Sequence, residues 1–198
     1  MRTSAPQLLP LFRSDGQGRL LARVYLDADK PVSLAQLARE LGLDDGGITR
    51  EADRLERAGL VRSERVGRSR ILHPNEDSPY YPELSGLLLK AFGPATAIAP
   101  ELARVDGIER AYLFGSWAAR YLGDPGHDPV DIDVMIVGYP SRIAVSGAER
   151  TLSEVLGREL NTAVVTPEEW EAAESGFLKE VQRGPLVRLQ LSSDEEAR

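Results

Sequence analysis

Asp131 and Asp133 stand one residue apart in VDIDVMIVG, residues 130–138. The apolar run from Ile132 to Val137 predicts a strand. A side-chain period of two then puts both carboxylates on one face, with Cα atoms about 6.5–7 Å apart. Two carboxylates at that reach can share Mg²⁺, which fills its remaining positions with water and phosphate oxygens. Upstream, a predicted strand from Ile108 to Phe114 runs into Gly115-Ser116, and a short helix is expected over Trp117–Leu122. Such a turn offers backbone N–H groups and a hydroxyl to a phosphate.

A second constellation is basic. A helix expected over 46–58 has Ile48, Ala52, Leu55 and Ala58 as its apolar face. Gly47, Thr49, Arg50, Asp53, Arg54 and Arg57 then point away from that face. Arg50 and Arg54 can donate bidentate hydrogen bonds to guanine, and Thr49 can touch a base or a phosphate. The pair Gly46-Gly47 sacrifices about 2 kcal/mol of helix propensity, which close approach of a phosphate would explain. Residues 62–70, RSERVGRSR, add Arg62, Arg65, Arg68 and Arg70 against one Glu. That density suits a phosphate backbone or a minor groove.

The elements that must position these residues follow from periodicity and caps. Ser14 caps a helix over 15–27. Ser33 and Gln36 form a capping box before Leu34, Leu37, Ala38 and Leu41, and Gly42 ends that short helix. Asp44 caps the next helix and Gly59 stops it. Val61–Val66, a Gly67-Arg68 turn and Ser69–Leu72 read as a β-hairpin. Helix, short helix, tight turn, helix and basic hairpin is the order of a winged helix-turn-helix. Residues 74–82 read as a linker, followed by a helix over 82–92 closed by Gly93-Pro94. Beyond lie a helical stretch at 95–105, an amphipathic helix at 141–157, a strand at 161–165, short helices at 167 and 177–183, and a last strand at 186–191. The expected fold class is α+β. The expected domains are 1–75, a linker and helix at 76–93, and a second domain at 94–198.

Composition narrows the functions. The chain has 198 residues, no Cys and two His, so thiolate metal sites, cysteine nucleophiles and disulfides are excluded. No G-x-x-x-x-G-K-[ST] motif is present. The longest uncharged runs are ten residues, too short for a membrane helix, and the first residues lack a signal-peptide core. A cytoplasmic protein without membrane partners is expected. The net charge of −7 divides unevenly: residues 1–75 carry +3 and residues 76–198 carry −10. A basic module joined to an acidic one is the simplest reading.

The stretch from Leu37 to Leu72 carries a resemblance, over about residues 14–75, to bacterial winged helix-turn-helix regulators of the ArsR/MarR type, without a metal-sensing Cys/His set. The resemblance implies binding to double-stranded DNA, as a homodimer over paired half-sites. The pattern GSWAAR…DIDV resembles the polymerase-β-like minimal nucleotidyltransferases over about residues 94–191. It implies that Asp131 and Asp133 bind divalent metal, that Gly115 and Ser116 hold a nucleoside triphosphate, and that Arg120 faces a phosphate. The sequence departs from that pattern at Val130, where Ser is frequent, and in a longer loop before Asp131. A third carboxylate is expected on the next strand, where Asn161 stands. A neutral amide is no general base. Glu159, two residues earlier on the same face, is the substitute candidate for a catalytic role.

Three readings stay open at this point. One is a DNA-binding regulator whose second domain binds nucleotide and Mg²⁺. Another is an active nucleotidyltransferase acting on a protein or small molecule. A third is an antitoxin-like partner of a toxin protein. Among weaker candidates, His127 is expected in an exposed loop, His73 at the end of the hairpin near phosphate, Trp117 and Trp170 in packing, and Lys179 on a solvated helix.

Overall fold

The computed structural model describes residues 11–28, 30–124 and 129–191. His127 and the residues from 192 lie outside them. The chain divides into two compact units, residues 1–93 and 94–198.

The first unit is built from α1 (Asp15–Leu26), β1 (Val32–Ser33), α2 (Leu34–Leu41), α3 (Asp45–Arg57), β2 (Val61–Val66), β3 (Ser69–Pro74) and α4 (Tyr81–Phe92). The caps form as the sequence implies: Ser14 Oγ accepts from the Gln17 N–H, Ser33 Oγ from Gln36 and an Asp44 carboxylate oxygen from Gly47. At Ser33 the hydroxyl half of the capping box is made, and the Gln36 amide nitrogen donates along the helix to Glu40. Strand β3 lies between β1 and β2, antiparallel to both. The two-residue β1, too short for a periodicity signal, escaped the sequence reading. Leu20, Tyr25, Leu37, Ile48 and Leu72 fill the core. The Tyr25 hydroxyl donates to the Leu60 carbonyl at 2.5 Å, and burial, then Tyr81, pushes its pKa up to about 12. Helix α4, read in the sequence beside the linker, packs on α1, where Phe12 meets Phe92 edge-on.

The second unit runs α5 (Ala95–Leu102), β4 (Ile108–Phe114), α6 (Gly115–Tyr121), β5 (Asp131–Gly138), α7 (Arg142–Leu156), β6 (Glu159–Val165), α8 (Pro167–Ala172), α9 (Gly176–Arg183) and β7 (Leu186–Leu189). The sheet order is β6-β5-β4-β7. Only β5 and β6 pair in parallel, joined through α7; the other neighbours are antiparallel. Alternation along β5 separates two packing faces. Met135 and Val137 join Trp170, Leu178 and Val181 in one cluster, with Tyr112, Phe114, Ala163 and Val165 against it. Asp131 and Asp133 share the parity of Met135, so they extend this face toward the start of the strand. Among the boundaries that differ from the sequence reading, two bear on the carboxylates. β6 begins at Glu159 because its parallel pairing with β5 starts at Asp131. Gly115 and Ser116 form the first turn of α6 rather than a separate loop.

Candidate functional site

Helix α3 exposes Thr49, Arg50, Arg54 and Arg57, and half-exposes Gly47 and Asp53. Its apolar stripe is Ile48, Ala52 and Leu55; Ala58, expected with them, is exposed beyond the last turn. Gly47 has a local reason to be glycine. A Cβ there would sit 2.7 Å from Asp44 Oδ2 and crowd the capping carboxylate. Thr49 Oγ1 donates back to the Asp45 carbonyl at 2.7 Å.

Arg57 turns back on its helix, its Nε donating to the Asp53 carbonyl at 3.1 Å, and the six arginines expected at DNA fall into two groups. Arg50, Arg65 and Arg68 are exposed and have no ion-pair partner among the described residues. The other three are engaged. Arg54 Nη1 lies 3.1 Å from Glu51 Oε2. Arg62 pairs with Asp77. Arg70, with a side chain only 22% exposed, reaches Asp53 at 2.5 Å and Glu56 at 2.6 Å. Glu56 also accepts from the Ser63 backbone and hydroxyl, at 3.0 and 2.6 Å. The Ser63 hydroxyl above all, with Arg70 and the Ser63 N–H, holds the Glu56 carboxyl below the usual carboxylate range. Arg70 therefore ties the hairpin to α3, a structural role that reading it as a DNA contact overlooked.

Glu51 was also missed. It is 8% exposed and accepts from Gln17 at 2.8 Å, Arg13 at 3.1 Å and Arg54 at 3.1 Å. The sequence carried one signal for it, the i,i+3 spacing to Arg54; the other partners, Gln17 in α1 and Arg13 just before it, lie 34 and 38 residues away. His73 Nε2 lies 3.3 Å from Glu64 Oε1, across the hairpin.

In the second unit, Asp131 pairs in register with Glu159, and Asp133 with Asn161 on one side and Phe114 on the other. The Asn161 Nδ2 donates to Asp131 Oδ2 at 3.0 Å and toward Asp133 Oδ1 at 3.4 Å. Partial burial raises the pKa of Asp133, the Asp131 charge adds to the rise, and the Asn161 hydrogen bond opposes it. Gly115 has φ +67, and a Cβ on it would meet Asp133 Oδ2 at 2.9 Å. Only glycine lets the start of α6 approach that carboxylate. Ser116 is exposed beside it. Glu159 is exposed, and among the described residues no three His, Asp or Glu side chains converge on a metal-sized point.

Arg120 and Arg158 lie 5.6 and 5.4 Å from the centroid of the buried Trp117 ring. Arg158 also donates to the Pro129 carbonyl. It was not a candidate in the sequence, where its only mark is adjacency to Glu159. Trp170 is buried and stacked on Tyr112 at 5.1 Å, a packing role, and Lys179 is exposed on α9. Two carboxylates on one strand face, with a glycine turn and a hydroxyl beside them, match how Mg²⁺ is commonly held: one or two carboxylates, the rest water and phosphate.

Comparison with known proteins places residues 14–70 within the model of the MarR family. Comparison with curated proteins gave no match. Solved structures similar to this chain include reduced HlyU from Vibrio cholerae, at 19% identity, covering 43% of this chain and 84% of that one, with a TM-score of 0.35. The regulator BldR from Sulfolobus solfataricus shares 22% identity over 52% of this chain and 71% of its own, TM-score 0.37. ZitR from Lactococcus lactis in complex with DNA shares 15% identity over 46% and 60%, TM-score 0.36. These likenesses are too low to carry an argument, and the assignment over residues 14–70 rests on the sequence match. Among the described residues no helix is long and apolar enough to cross a membrane.

Proposed function

Starting from a MarR-family winged helix-turn-helix domain at the N-terminus, we propose that this chain is a DNA-binding transcriptional regulator whose second unit is a nucleotidyltransferase-like domain that binds nucleotide with Mg²⁺. The observation that carries the DNA reading is the family match over residues 14–70, on a helix that leaves Thr49, Arg50 and Arg54 facing outward. In this reading α3 enters the major groove. Arg50 donates to a guanine edge, Arg54 is aimed by Glu51, and Thr49 meets a base or a phosphate. The wing residues Arg65 and Arg68 contact the backbone. Two copies of the chain bind paired half-sites.

In the second unit, Asp131 and Asp133 would hold the divalent ion, with Gly115, Ser116 and Arg120 toward the triphosphate. Bound there, the ion supplies charge neutralisation to the phosphates. The chain's own residues do the rest. The Gly115 backbone approaches closely, the Ser116 hydroxyl donates, and Asn161 spans the two carboxylates. Asn161 cannot take a proton, so the position where a third carboxylate is expected supplies no general base, and the arrangement favours binding over nucleotidyl transfer.

The direct test is selection of duplexes from a random library by the full chain, alongside calorimetry with Mg²⁺ and each nucleoside triphosphate. Enrichment of a two-fold symmetric motif and metal-dependent binding of a triphosphate are expected. A library with no enrichment would overturn the DNA reading. Triphosphate binding indifferent to Mg²⁺ would overturn the second.

A further inference from the structure

Where β6 ends, the chain turns through α8 into α9 and leaves an open cup of about 510 Å³. That volume lies in the range of small-molecule sites. Its apolar surface comes from Val165, Leu178 and Phe177, and its charged lining is Glu168, Glu169 and Glu174, with no basic residue in the wall. Phe177 is 50% exposed, unusual for so large an apolar ring. It is nonetheless held, meeting Phe114 edge-on at 6.0 Å.

Two of the carboxylates are fixed in place. Glu168 accepts from the Tyr139 hydroxyl at 2.6 Å, which holds its carboxyl below the usual range. Glu169 completes the capping box of α8, accepting from the Thr166 N–H at 2.8 Å. Both remain acceptors with oxygens to spare. Glu174 has no ion-pair partner among the described residues. The wall thus offers an apolar surface, an aromatic ring and charge of one sign.

We propose that this cup is a binding site for a small organic cation, an ammonium group carried on an apolar or aromatic body. The body would lie on Val165, Leu178 and the face of Phe177, and the ammonium would meet Glu168 and Glu174. Phe177 adds a cation–π attraction that an anion of the same shape cannot use. An anionic ligand would be repelled by the three exposed carboxylates beside it, in a half-chain that already carries −10. Phe114, whose ring supports Phe177, pairs in the sheet with Asp133. The cup is nevertheless separate from Asp131 and Asp133, and the inference stands without them.

The test is calorimetry of the full chain with phenethylammonium and, at equal concentration, 3-phenylpropionate, which has a similar body and the opposite charge. Saturable binding of one phenethylammonium per chain is expected, with none of the anion. The double variant Glu168→Gln with Glu174→Gln should weaken binding about tenfold, and Phe177→Ala about fivefold. Thermal unfolding by circular dichroism checks each variant. Should one fail to fold, Glu174→Gln alone, at an exposed position, gives the same sign with a smaller loss. Equal binding of both probes, no saturable binding at millimolar concentration, or binding unchanged in folded variants would each overturn the site.

Discussion

The charges on α3 and the hairpin and those at the start of β5 are organised in opposite ways. In the first unit opposite charges are interleaved. Arg54, Arg62 and Arg70 are held by Glu51, Asp77, Asp53 and Glu56, and the exposed Arg50, Arg65 and Arg68 are left over. In the second unit like charges are adjacent. Asp131 and Asp133 share one face, and the neutral Asn161 amide is the donor between them. Arg70, little exposed and held by two carboxylates, builds the scaffold and has little left for a ligand, whereas the exposed Arg54, paired with one carboxylate, keeps donors to spare. A like-charge pair stores repulsion that a cation relieves. The first surface is therefore suited to a polyanion, through its unpaired arginines, and the second to a cation, through its paired carboxylates.

The largest effect that could break this comparison lies at β5. Asp131→Asn with Asp133→Asn should abolish metal-dependent triphosphate binding in calorimetry and leave DNA affinity unchanged. Loss of DNA binding in that variant would mean the two surfaces do not act separately. Next is Arg70→Ala. Removing the tie between β3 and α3 should cost about 1 kcal/mol of stability, the upper end for partly exposed pairs, measured by denaturant unfolding. An unchanged midpoint would return Arg70 to the group available for DNA.

Arg65→Ala and Arg68→Ala should lower affinity for every duplex alike. Each lost phosphate contact should reduce the slope of log K against log salt by about 0.9. A slope that stays at its wild-type value would remove the wing from the interface. The smallest effect is in pH. The folded Glu56 carboxyl titrates below its ordinary 4.5, so its contribution is present above that value and lost as pH falls through the folded pKa. Glu56→Gln should therefore flatten the loss of thermal stability on acidification below about pH 4.5. An acid limb as steep as the wild type's would mean that other carboxylates dominate it.

The sequence made the helices and their caps legible because Ser14, Ser33 and Asp44 precede apolar positions at helical spacing. It made the outward face of α3 legible for the same reason, and the family match agrees with the MarR half of the resemblance read there. Partners distant in sequence were not legible. The Arg13–Glu51 and Arg70–Asp53 contacts join segments 38 and 17 residues apart, so four wing arginines that look alike in sequence separate only once folded. The start of β6 at Glu159 depends on pairing with β5, which a single strand does not encode. Asn161 was read as standing at the third-carboxylate position on the next strand; its register with Asp133 and its donation to both carboxylates required the sheet.

The most direct measurement compares Arg50→Ala with Arg54→Ala, combined in one chain, on the preferred duplex and on random DNA at the same salt concentration. If α3 reads bases, affinity for the preferred duplex should fall by about 1–3 kcal/mol for each lost bidentate contact, while random DNA is bound nearly as before. Equal losses on the two duplexes would contradict base reading by α3 and leave these arginines as backbone contacts.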